Sequence, residues 1–208
     1  MAGKFFAKSG VVSGILLVLF IFSSFVDCSS ANTKNIDSER LSKNTSLLSN
    51  RCGYVLDKNI IDKISKSYSK VNDRIISIDF YVSLKVADRP VNGKLSFGCF
   101  MVGAKESEAS GLKRPTAAEE ISQADSGGRY ARNVVWQRTY EGAGWTGTIA
   151  YVNSVFGDQE NLKVPDYFLV CPNKGKLACF SFEVQRPRLD RRESDKIPDL
   201  LRGIVFLK

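Results

Sequence analysis

The chain contains no histidine. That absence removes Ser-His-Asp and Cys-His nucleophilic systems, His-based metal sites and the commonest general base. A Gly-rich phosphate loop, a G-x-S-x-G elbow after the leader and a close C-x-x-C pair are also missing. Nucleotide cradling, an α/β-hydrolase serine and a zinc ribbon therefore have no motif behind them. The basic residues form no concentrated run interleaved with aromatics, so nucleic-acid recognition is not expected. Long apolar runs are equally scarce. Val11 to Val26 spans 16 residues, short of the roughly 20 that cross a bilayer as a helix.

That run is nevertheless informative. Lys4 and Lys8 precede it, and Ser29-Ser30-Ala31 follow it. A basic start, a short apolar stretch and a small-residue exit make the pattern of a secretory signal peptide. Residues 1–31 are read as that leader, cut after Ala31, with the mature chain periplasmic or secreted and soluble. Retention of the run as an anchor and lipidation of Cys28 are the rival readings. Phe25-Val26-Asp27 before Cys28 fits lipidation poorly, because a small residue is wanted there. Losing Lys4, Lys8 and Asp27 lowers the formal net charge by one from +8. A basic surface of this size suits anionic partners, or simply a solvated Lys-rich face.

Export changes the meaning of the four remaining cysteines, Cys52, Cys99, Cys171 and Cys179. An even count in an oxidising compartment predicts two disulfides. Suppose Cys171 opposes Cys179 across an antiparallel pair. Then Val170 opposes Phe180 and Phe168 opposes Phe182, which builds one apolar face and puts the cysteines on the other. The pairing Cys171–Cys179 follows, with Cys52–Cys99 by elimination.

Along the mature chain, residues 32–50 are polar and read as a flexible lead-in to a single domain, 51–208. Asn44-Thr45-Ser46 within it matches the N-glycosylation triplet. Ile60, Ile61, Ile64, Tyr68 and Val71 recur at helical spacing behind Asp57, which predicts an amphipathic helix. Strands are expected over 76–86 and 94–102, where Phe97, Cys99 and Met101 share a face. A capping box, Thr116 to Glu119, starts a short helix inside the irregular stretch 103–132. Two further strands, 133–140 and 145–156, form a hairpin with Val134, Trp136, Arg138 and Tyr140 on one face. After the cysteine hairpin, Ile197, Leu200, Leu201 and Ile204 give a C-terminal helix. The sum is an α+β domain: an antiparallel sheet of about six strands, flanked by an N-terminal and a C-terminal helix on one face and tied by disulfides.

Chemistry is thin on this frame. Ser67-Tyr68-Ser69-Lys70 matches S-x-x-K, but its companion motifs are missing. Glu119, Glu120 and Asp125, or Asp158 and Glu160, are the carboxylates a hydrolase would use. Neither cluster has apolar neighbours that raise a pKa, and surface carboxylates are the commoner case. No cofactor, metal or catalytic residue is expected. The candidate binding residues are Trp136, Trp145, Lys63, Lys66, Lys70, Arg188 and Arg191. They serve a non-catalytic exported binding protein, an inhibitor or immunity-type partner of an extracytoplasmic toxin or hydrolase. The alternatives are an envelope-surface module for anionic lipid or polymer, and a carboxylate-dependent hydrolase.

Overall fold

The computed structural model describes residues 28–73, 75–100, 115–125, 130–157, 162–173, 179–186 and 188–207. Two units divide the chain, Met1–Ile36 and Asp37–Lys208, and the fold below is that of the second. Its elements in chain order begin with α1 (Cys28–Leu47), a π-helical turn (Leu48–Cys52), β1 (Tyr54–Leu56) and α2 (Lys58–Ile61). Then come β2 (Ile64–Val71), β3 (Ile75–Val86), β4 (Arg89–Phe100), α3 (Ala117–Asp125), β5 (Tyr130–Gly142) and β6 (Trp145–Gly157). The chain continues through β7 (Leu162–Pro172), β8 (Phe180–Arg186), α4 (Arg191–Ser194), α5 (Ile197–Leu200), a 3-10 turn (Leu201–Gly203) and β9 (Ile204–Phe206).

Seven strands form one sheet in the order β2-β3-β4-β8-β7-β6-β5, every neighbouring pair antiparallel. A second sheet of two strands pairs β1 with β9. The disulfide-bearing α+β class is therefore present, with one strand more in the main sheet than its sequence pattern suggested.

The inner face is apolar because β3 alternates without a break. Ile76, Ile78, Phe80, Val82, Leu84 and Val86 are all buried, and Leu95, Phe97, Phe168, Val170, Phe180 and Phe182 join them from neighbouring strands. Phe168 opposes Phe182 and Val170 opposes Phe180, the expected register. Cys171 bonds Cys179 and Cys52 bonds Cys99, also as expected. The Phe182 ring packs against Gly93, where a Cβ would stand 2.3 Å from it. Only glycine leaves that space.

Helices lie on both faces, not on one. Thr116 and Glu119 form the capping box, with Thr116 N donating to Glu119 Oε2 at 2.7 Å and Glu119 N donating to Thr116 Oγ1 at 3.3 Å. α3 then packs Ala117 and Ile121 on the outer face, against Ala150, Val152, Leu169 and Cys171. The sheet behind the cysteine hairpin is thus buried twice.

Two expected helices and one expected lead-in are corrected. The predicted amphipathic helix is real only over α2, capped by Asp57, whose Oδ1 accepts Ile60 N at 2.9 Å. From Ile64 onward the chain pairs with β3. Its Ser/Lys alternation satisfies a period of two as well as a helical one, and serine is a weak helix former. Strand pairing to an already apolar β3 decides the matter. The C-terminal helix is broken: an Asp190/Glu193 capping box starts α4, Pro198 opens α5, and Gly203 turns the chain into β9. Residues 32–50, expected as a flexible lead-in, are helical, with Asn44 and Leu48 buried.

Candidate binding face

Two bulges decide what faces where on the far strands. Register shifts between Asn133, Val134 and Trp136 send Val134 to the α3 side and keep Trp136 on the inner face. Val134 therefore does not share a face with Trp136, as strict alternation would require, because an extra residue reverses side-chain direction. In β7 the ladder to β6 skips around Pro165, which has no N–H to give. Asp166 turns inward there, accepting from Tyr151 Oη at 2.5 Å and Leu189 N at 2.9 Å.

The tryptophans are packing residues first. Trp136 lies against Tyr151 and Phe168, with ring centroids at 5.5 and 6.0 Å. The guanidinium of Arg138 covers its ring at 4.3 Å and is held by Asp195 at 2.5 Å. Trp145 packs on Tyr140 and Phe180 and donates its Nε1–H to Ile204 O at 3.2 Å. Both are partly buried against the inner core. Among the described residues, Trp136 Nε1 and Tyr140 Oη are buried without a hydrogen-bond partner. Burial drives the Tyr140 hydroxyl well above the usual tyrosine range, so it remains protonated.

Arg188 precedes α4, and Arg191 is its first residue. Arg188 donates to Val164 O, and Arg191 is exposed. Nearby, Arg89 clasps Glu193 through both carboxylate oxygens. That clasp, followed by the Asp190 backbone bond, holds the Glu193 carboxyl below the ordinary glutamate range against the opposing effect of burial.

Lys63, Lys66 and Lys70 sit around β2 and are exposed. β2 and β7 are four strand steps apart, or about 19 Å, so the lysines and Arg188 do not make one patch. Lys66 and Lys70 point to the outer face with Tyr68, because Lys66 opposes Tyr81, Tyr68 opposes Asp79 and Lys70 opposes Ser77. Tyr68 is 46% exposed and meets Tyr81 edge-on at 5.7 Å. Arg40 from α1 lies 5.8 Å from the Tyr68 ring centre. Sequence reasoning missed Tyr68, Tyr81 and Arg40. Only the strand assignment of β2 brings the first two together, and only the helix in the supposed lead-in supplies the third.

The S-x-x-K match dissolves on this geometry. Ser67 is on the inner face, accepting from Asn44 Nδ2 at 3.0 Å, and Lys70 is on the outer one. Residues three apart on a strand point opposite ways. Of the expected carboxylates, Glu119 caps α3, and Asp125 binds Arg132 through its side chain and backbone N–H. Glu120 is half-buried on α3. Asp158 and Glu160 lie outside the described residues, as does Met101. Among the described residues, no helix is long and apolar enough to cross a membrane, and no cluster of His, Cys, Asp or Glu suits a metal ion.

Comparison with protein-family models, curated proteins and solved structures finds no match.

Proposed function

We propose that this chain is an exported, non-catalytic binding protein whose partner is another extracytoplasmic protein. The role resembles that of an inhibitor or immunity protein directed at an envelope toxin or hydrolase. One observation carries the reading: the outer face of the disulfide-tied sheet is covered by α3 at one end and, among the described residues, is approached only by Arg40 of α1 at the other. α3 covers the β5–β7 half, whereas Tyr68, Lys66, Lys70, Ser83 and Lys85 on β2 and β3 stand in solvent. A strand surface needs no loop to order on association, and tyrosine loses less rotamer freedom there than a longer side chain does. Both disulfides support the export half of the proposal, since they persist in oxidising compartments.

The test is affinity capture from the native extracytoplasmic extract, using the exported form at its natural abundance. A stoichiometric protein partner is the expected result. Recovery of no specific protein would sink the reading.

A further inference from the structure

We infer that the docking surface is the outer face of β2 and β3 around Tyr68, and that the partner offers a carboxylate-rich protein surface surrounding an apolar contact. This rests on the reading of the chain as a protein-binding module. Tyr68 and Tyr81 form an aromatic centre, and Tyr is among the residues that dominate contact energies. Lys66 and Lys70 bracket that centre along β2, about 13 Å apart by strand rise. Neither lysine makes an ion pair among the described residues, whereas Lys85 is paired with Asp88 and Lys94 with Glu183. Arg40 adds a third cation over the Tyr68 ring. Asp79, opposite Tyr68 in the β2–β3 register, is the carboxylate that these cations face on the sheet itself.

α1 decides how a partner approaches. Arg40 reaches the outer-face Tyr68, while Asn44 reaches the inner-face Ser67. The helix therefore passes the free edge of β2. A helix over an edge strand blocks the addition of another strand. The partner meets the face of the sheet, and side chains carry the contact. A long anionic polymer or a lipid surface is a poorer fit, because Arg188, bonded to β7, and Arg191, on α4, stand on other elements and do not extend the lysine face of β2.

The experiment places a photo-crosslinking amino acid at position 68 of the exported chain in its native host. The cross-linked protein is identified, and its affinity is measured for wild type, Tyr68→Ala, the double variant Lys66→Glu/Lys70→Glu, and Arg191→Glu. Isotope-labelled chain is also titrated with poly-L-glutamate and with phosphatidylglycerol vesicles. The expected result is one acidic protein cross-linked at position 68, and affinity lowered about tenfold or more by either β2 variant but not by Arg191→Glu. Poly-L-glutamate should move the amides of 66–70 and 77–81. Unchanged near-ultraviolet circular dichroism shows that the variants fold. A captured partner indifferent to both β2 variants overturns the surface while leaving the binding role intact. Shifts at these residues with vesicles but not with poly-L-glutamate also overturn it, in favour of a lipid headgroup. Absence of any partner, with no amide shifts, overturns the surface and the binding role together.

Discussion

Tyr140 shows how a single polar atom sets a testable energy. Its ring packs beside Trp145, but its hydroxyl is buried without a partner among the described residues. Leaving such a group unsatisfied costs about 1–3 kcal/mol. Tyr140→Phe should therefore raise stability by about 1 kcal/mol, read as a higher urea midpoint. Asn44 is the opposite case. It matches a glycosylation triplet, yet it is 1% exposed and donates to Ser67. A glycan there is incompatible with the packed residue. The intact mass of protein secreted from a eukaryotic host should show none on Asn44, and Asn44→Ala should cost about 1–3 kcal/mol. The triplet was legible in the chain; its burial was not, because it depends on β2 being a strand 23 residues away.

Among the elements, α4 shows how a four-residue helix survives. Asp190 accepts Glu193 N at 2.8 Å, Glu193 Oε2 accepts Asp190 N at 2.7 Å, and Arg89 clasps the same carboxylate from β4. The carboxyl's pKa is lowered in the fold relative to the open chain. Its contribution is therefore fully present above the open-chain value, about pH 4, and fades as acid takes the pH down through the folded value. The stability difference between wild type and Glu193→Gln should be largest near neutrality. It should shrink as the pH falls below about 4, measured by urea titration at each pH. Strands were the most readable elements. β3 and the β7–β8 register follow from alternation, a local and unambiguous pattern. The segment 57–71 misled because its spacing serves two periods, and nothing within it reveals that β3 waits to pair. Pro198 and Gly203 mark the breaks in the terminal helix, but the apolar stripe of Ile197, Leu200, Leu201 and Ile204 carries the helical period across them, and only the pairing of β9 with β1 ends it.

For the whole molecule, the two disulfides do unequal work. Cys52–Cys99 closes a separation of 47 residues and Cys171–Cys179 one of 8. Loop-closure entropy assigns them about 4 and about 2.5 kcal/mol. Replacing the Cys52–Cys99 pair by serines should lower the urea midpoint more than replacing the other pair. The longer bridge also staples the π-helical turn after α1 to β4, so its loss should loosen the helix that presents Arg40. Hydrogen exchange in 37–52 is the measurement, with faster exchange expected only in the Cys52/Cys99 variant.

The amino-acid sequence by itself determined the α+β class, the two disulfides and the β7–β8 register. These rest on alternation, residue chemistry and cysteine count, which local reading captures. Tertiary structure alone decided that β2 is a strand, that Tyr68, Tyr81, Lys66 and Lys70 share one face of the sheet, and that Arg40 of α1 reaches the Tyr68 ring. Such a surface is assembled from segments that carry no signal of their meeting. Only long-range pairing onto β3 brings them together.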